Sequence, residues 1–235
     1  MKSVRRVPIL IAGKGRIGGA VSSSLIAQGY FVKHCRIHPQ AGISALSEFS
    51  GQPFLLVICI SAFGKSWSWD SLLVGLVEQL KSMESSNGQV IFVSSTRVFD
   101  GIASGEVAAA TPVKPASQKA QQLVAAESQL ASTNLPLWIM RPSGLYGDEY
   151  PKYLPIMKNG AEKPRFGIDS QRVSERLVQL SQILVTEGFS SGVEVMTDGF
   201  AYHDNQEIMP NTQEWQRLCG QFRMLKASVA SKYKV

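Results

Sequence analysis

A strand-length apolar run, Pro8-Ile9-Leu10-Ile11-Ala12, breaks into Gly13-Lys14-Gly15-Arg16-Ile17-Gly18 and then into a helical pattern with Ile17, Val21 and Leu25 on one face, closing at Gly29. Few segments restrict a fold so tightly. In a strand–turn–helix unit the first glycine lets the chain turn sharply, the second lets main chain approach a phosphate, and the third lets helix and strand pack closely. The helix N-terminus then offers unpaired N–H groups and a positive dipole end to an anion. The spacing predicts that Gly13, Gly15, Arg16, Ile17 and Gly18 hold the pyrophosphate of a dinucleotide. The competing reading is a glycine-rich turn with no ligand.

The pattern repeats along the chain. Tyr30 to Arg36 is the expected second strand, and its end bears on which dinucleotide binds: a carboxylate there would hydrogen-bond a ribose 2′-hydroxyl, whereas an arginine accommodates a 2′-phosphate. The residue is Arg36, with Arg16 as a second cation in the turn, so NADP is favoured over NAD. Ala41 to Phe49 reads as a short helical piece. Phe54 to Ile60 is a continuous apolar run, as in a parallel strand covered on both faces, and Ser61 and Ala62 at its carboxyl end are expected to contact the cofactor. Asp70 reads as the N-cap of a helix carrying Leu73, Leu76, Val77 and Leu80. Asn87-Gly88 is a turn signal before a strand at Gln89 to Val93, and Leu135 to Met140 is a further strand. The expected fold is α/β: a doubly wound Rossmann sheet of about six or seven parallel strands with a small C-terminal α/β lobe.

Size and charge narrow the possibilities. With 235 residues, 44% hydrophobic and 18% charged, the chain suits a dinucleotide-binding domain over 1–150 and a lobe over 151–235 that does not fold alone. No apolar run approaches the ~20 residues needed to cross a bilayer, and the basic N-terminus leads into the glycine turn without a cleavage site; the expectation is a cytoplasmic protein with no membrane partner. The formal charge is +6, and no acidic residue precedes Glu48. Because Lys14, Arg16 and Arg36 stand where a dinucleotide's phosphates would lie, the expected partner is that small anion and not a nucleic acid. Cys35, Cys59 and Cys219 form no pair or zinc spacing, and His34, His38 and His203 form no cluster, so no metal is expected.

Four stretches taken together resemble one family. They are the glycine turn, Ser94-Ser95-Thr96-Arg97-Val98-Phe99-Asp100-Gly101, the segment from Pro112 to Glu127, and Arg141-Pro142-Ser143-Gly144-Leu145-Tyr146-Gly147. Their order and spacing over about residues 7 to 148 resemble the short-chain dehydrogenase/reductase superfamily, in its extended or atypical branch of epimerase/dehydratase-like proteins. The resemblance implies that Ser95, with Thr96 beside it, orients the substrate's reacting oxygen, and that Ser94, Arg141, Pro142 and Ser143 line the cofactor. It also implies a tyrosine proton donor whose pKa, near ~10 when unperturbed, is lowered by a lysine four residues on.

That pair is missing. Counting back from Glu127, the tyrosine position holds Lys119 and the lysine position holds Leu123. Lys119 could move the proton if burial and a nearby positive charge lowered its pKa; the alternative is a solvated lysine on an ordinary helix. Two readings therefore stand: an NADP-dependent oxidoreductase or epimerase-like catalyst acting on a small carbonyl or sugar-like substrate, with Ser95 and Lys119 as catalytic residues, or a catalytically degenerate NADP(H) sensor or structural protein. Asp148-Glu149 replace an expected phosphate-binding arginine, which weighs against a nucleotide-sugar substrate. No acidic adenine-side motif lies between Arg36 and Phe54, which predicts a sheet lacking one strand there. Beyond Tyr150, a proline-rich link, a helix over Ser174 to Thr186, a strand over Val193 to Met196 and a capped helix from Asn211 toward Phe222 are expected. So short a lobe leaves the pocket open or completed by a second copy in a homodimer.

Overall fold

The computed structural model describes residues 7–60, 69–83, 87–102, 105–147, 165–187, 191–197, 200–203, 206–208, 222–224 and 228–230. The first strand, β1 (Ile9–Ala12), is buried at every position and feeds α1 (Arg16–Ala27), whose Ile17, Val21 and Leu25 face the interior. The helix stops where Gly29 takes φ +83°. There the Tyr30 N–H donates to the Leu25 carbonyl and the Gly29 N–H to that of Ile26, which satisfies carbonyls that the last turn would leave open.

β2 (Val32–Cys35) follows and is shorter than the expected Tyr30 to Arg36. Between it and β3 (Phe54–Ile58) the chain makes a 3₁₀ helix, Ser44–Phe49, and no sheet strand. A turn closed by reciprocal backbone bonds between His38 and Gly42 stands there. Gln79 pins it to the next helix by accepting from the Ile43 N–H and donating to the Ile43 carbonyl. That helix, α2 (Trp69–Ser82), buries Leu73, Leu76, Val77 and Leu80; Asp70, the expected N-cap, lies instead within its first turn. Trp69 meets Phe92 edge-on, with ring centroids 5.2 Å apart.

β4 (Gly88–Val93), a 3₁₀ helix (Thr96–Phe99), β5 (Gly105–Val107), α3 (Gln118–Ala131), β6 (Leu137–Pro142), β7 (Gly144–Tyr146), β8 (Arg165–Asp169) and α4 (Ser170–Glu187) come next. β9 (Gly192–Met196), β10 (Phe200–His203), β11 (Gln206–Ile208), β12 (Phe222–Met224) and β13 (Ser228–Ala230) complete the order. The main sheet runs β13-β9-β6-β4-β3-β1-β2. All its pairings are parallel except β13 on β9, a departure from the all-parallel expectation at one edge. The opposite edge ends at β2, so the strand expected to be missing between Arg36 and Phe54 is absent. A four-stranded sheet, β11-β10-β8-β7, and a pair, β12-β5, lie apart from it.

Apolar clusters cover both faces of the main sheet. Leu10, Leu56, Phe92 and Ile139 belong to one, with α2 and α3, whereas Ile9, Ile11, Leu55, Val57 and Ile91 join α1 and α4 in the other. Burial on two faces is why these strands read as unbroken apolar runs, each such side chain stabilising the fold by roughly 1.5–3 kcal/mol. β9 lies beside β6 in register Met140↔Glu194, so the main sheet draws strands from both sides of residue 150. Ser61 and Ala62, the link from Pro151 to Pro164 and the helix expected from Asn211 lie outside the described residues, except for Phe222 at its expected end, which stands in β12.

Candidate functional site

The turn after β1 leaves no room for side chains at two of its glycines. Gly13 has φ +131°, and a Cβ there would stand 2.6 Å from the Cys59 carbonyl oxygen; one on Gly18 would stand 2.0 Å from the carbonyl oxygen of Gly13. Gly15 differs. A Cβ on it would meet nothing within 4 Å, and it is the N-cap of α1, which has no capping side chain and no acidic residue in its first turn. The positive end of α1 therefore faces open space with exposed Arg16 beside it, which fits a bound pyrophosphate.

Arg36 emerges next to this turn. Ala12 pairs with Cys35, so Gly13 and exposed Arg36 leave neighbouring strands at the same level. Beneath them the Cys59 thiol lies 3.6 Å from the Ala12 carbonyl oxygen. Its pKa is pushed up to about 12 by burial and, secondarily, by Cys35; that of Cys35 also reaches about 12, because burial outweighs the lowering effect of Lys33. Both are free, protonated packing groups at neutral pH.

At the carboxyl ends of β4 and β6 the expected residues separate into two groups. Ser95 is half-buried; its Oγ accepts the Arg97 N–H at 3.2 Å as cap of the 3₁₀ helix, leaving its own proton to donate. Ser143 is buried, its N–H donates to the Met196 carbonyl, and its Oγ has no hydrogen-bond partner among the described residues. A ligand at these strand ends would satisfy that hydroxyl, and Pro142, buried at the end of β6, flanks it.

Ser94 and Arg141 instead turn inward. The Ser94 hydroxyl donates to Glu127 Oε1 at 2.6 Å; Arg141 donates from Nε to the same oxygen at 3.0 Å and from Nη2 to Oε2 at 2.6 Å. Both charged side chains are essentially inaccessible to solvent, at 0% and 1% exposure, and the guanidinium lies 5.2 Å from the Phe99 ring centroid. Cofactor lining was expected of Ser94 and Arg141, but these polar groups are engaged with Glu127. The role of Glu127 was missed from the sequence, although Leu123, Ala126, Glu127 and Leu130 share the buried face of α3, a periodicity that would have exposed it.

Lys119 is the second residue of α3 and is exposed, so the described residues do not supply the burial that its proposed proton transfer needs. Leu123, where the resemblance implies a lysine, is 2% exposed in the core. The start of α3 is fixed to the 3₁₀ helix through Asp100, which accepts from the Ala116 N–H at 2.6 Å and from the Ser117 hydroxyl.

A cleft of about 460 Å³ runs along the flank of α1 toward α4, bounded by Arg16, Ile17, Ala20, Ser170, Gln171 and Val178. It touches the glycine turn at Arg16 and Ile17 but includes neither Ser95 nor Ser143. Among the described residues no group of three or more His, Cys, Asp or Glu could hold a metal, and no helix is long and apolar enough to cross a membrane.

No protein-family model matches the sequence, and no curated protein matches it. Solved structures do. A candidate NAD-dependent epimerase/dehydratase from Methylobacillus flagellatus superposes with TM-score 0.66 at 22% identity, over 91% of this chain and 81% of that one. UDP-N-acetylglucosamine 4-epimerase from Bacillus cereus gives 0.64 at 15% identity, over 84% and 81%. It has the fold of these epimerases and dehydratases. The Bordetella bronchiseptica enzyme WbmG, solved in complex with NAD, gives 0.63 at 16% identity, over 87% and 76%. The epimerase/dehydratase fold carries ligands at the carboxyl ends of its parallel strands, the edge where Gly15, Arg36, Ser95 and Ser143 are found here.

Proposed function

We propose that this chain binds NADP(H), with NAD(H) held less tightly, and works as an epimerase/dehydratase-like oxidoreductase on a small carbonyl or sugar-like substrate. The observation that carries the reading is the glycine turn, closed to side chains at Gly13 and Gly18 and open at Gly15. Gly13 through Gly18 would hold the pyrophosphate. Arg36 supports the choice of NADP by supplying charge for a 2′-phosphate, although the dinucleotide named with WbmG is NAD. When bound, the dinucleotide supplies hydride transfer. Ser95 donates its hydroxyl proton to the substrate oxygen and so stabilises negative charge developing there. Pro142 and Ser143 would border the nicotinamide, and a water, or Lys119 where bound dinucleotide and substrate bury it, would replace tyrosine in moving the proton.

A second reading, a catalytically inactive NADP(H) sensor or structural protein, is favoured by buried Leu123 and exposed Lys119. Titration calorimetry with NADPH and NADH tests the shared claim, and failure to bind either removes it. Incubation of the NADP-loaded protein with carbonyl compounds and sugar nucleotides, followed for NADPH oxidation and for isomer formation by NMR, separates catalyst from sensor. The same reading gives the part of residues 151–235 outside α4, β9 and β13 the role of substrate cover and the free thiols Cys35 and Cys59 a reducing, cytoplasmic setting. Homodimer formation is included, and a monomer in sedimentation analysis excludes it.

A further inference from the structure

We infer that Glu127 is a positioning residue: its buried carboxylate holds the ends of β4 and β6 in the arrangement that receives the nicotinamide half of the dinucleotide. The inference rests on the dinucleotide reading above. Val93 and Met140 are register partners, so Ser94, just past the end of β4, and Arg141, one residue before the end of β6, are the next residues on two neighbouring strands. Glu127 reaches both from α3, accepting from Ser94 and Arg141 on one oxygen and from Arg141 on the other.

Three segments are thereby tied at one carboxylate. Fixing Ser94 sets the entry to Ser95, while the Arg141 guanidinium lies against Phe99 of the 3₁₀ helix that Ser95 caps. Arg141 also leads directly into Pro142 and Ser143, whose buried hydroxyl lacks a partner. Glu127 itself lies about two helical turns beyond Lys119 on α3. Stability gives little reason for such a pair, because apolar side chains of similar volume in place of a buried ion pair are often as stable or more so. Geometry gives one: a carboxylate gripped on both oxygens by a planar fork admits few orientations, and the loops leaving both strands inherit that order.

The test compares NADPH with 2′-phospho-ADP-ribose, which lacks the nicotinamide, on the full-length protein. Glu127→Gln should bind the fragment as wild type does but lose about tenfold in NADPH affinity, equivalent to ~1.4 kcal/mol, together with the fluorescence change of the bound nicotinamide. Ser94→Ala should show a smaller loss of the same kind. Because a half-removed buried pair can unfold a protein, the double variant Glu127→Met with Arg141→Met provides a volume-conserving control; it should fold, bind the fragment and lack the nicotinamide increment. If the double variant retains the wild-type ratio of NADPH to fragment affinity, or Glu127→Gln weakens both ligands equally, the positioning role is overturned. Equal wild-type affinities for the two ligands also overturn it. A wild-type protein that binds neither ligand overturns the dinucleotide reading itself, an outcome visible before any variant is made.

Discussion

Two alanine substitutions three residues apart should fail in opposite ways. At Gly15, a Cβ meets nothing within 4 Å and the backbone, at φ −70°, suits any residue. Alanine is a poorer N-cap than glycine by roughly 0.5–1 kcal/mol, and it restricts the unfolded chain by about 0.4–1 kcal/mol in the stabilising direction, so the net change is within about 1 kcal/mol. The methyl group would project into the space assigned to the pyrophosphate, and NADPH affinity should fall by more than about tenfold. At Gly18, the Cβ would stand 2.0 Å from the Gly13 carbonyl oxygen and 2.8 Å from the Cys59 sulfur. Relieving that overlap requires moving α1 from β1, a cost on the order of 1–3 kcal/mol or more, which in a chain this long lowers the melting temperature by about 2–4 °C per kcal/mol. Thermal melts and NADPH titrations on both variants provide the assay. A Gly15→Ala protein that binds NADPH like wild type refutes the assignment of phosphate to this turn. A Gly18→Ala protein that melts like wild type refutes the steric argument.

Replacing Arg36 with Asp should lower the ratio of NADP to NAD affinity by at least about tenfold; an unchanged ratio in calorimetry removes Arg36 from cofactor choice. For Asp100, desolvation raises the carboxyl pKa, but hydrogen bonds from the Ser117 side chain, the Ala116 N–H and the Ser117 N–H, with the charge of Arg97, outweigh it and lower the value overall. Its folded pKa therefore lies below its unfolded one, so its contribution is present above about pH 4 and lost as pH falls through the folded value. Urea midpoints of Asp100→Asn should accordingly depend less on pH in that acid range than those of wild type, and parallel curves would exclude the effect. In a Cys219→Ser background, Cys35 and Cys59, each with pKa near 12, should resist thiol reagents at pH 8 until urea unfolds the chain; fast native labelling would show that burial does not control them.

The main-sheet strands and the helices between them through residue 140 were legible in the sequence because their causes are local, whereas the 3₁₀ helix Thr96–Phe99 and β5 were not. A strand covered on both faces must be apolar throughout, as Phe54 to Ile58 is, and a tight turn against a helix must be glycine, as Gly13 and Gly18 are. The missing strand before Phe54 was legible on another ground, the lack of the acidic adenine-side motif that the family resemblance places after such a strand. Side-chain direction at the strand ends was not. Ser94 and Ser95 are neighbouring hydroxyls with nothing in the sequence to separate them, yet one is buried on Glu127 and the other caps a turn at the site edge. Arg141 reads as lining for the cofactor until α3 brings a carboxylate from 14 residues away into the core beside it. The antiparallel β13 and the membership of β9 in the main sheet likewise depend on which edge remains unpaired. Composition and period determine which segments are strands and which helical faces are buried; partners across the sheet, and the directions in which polar groups must turn to satisfy one another, exist only after those segments have packed.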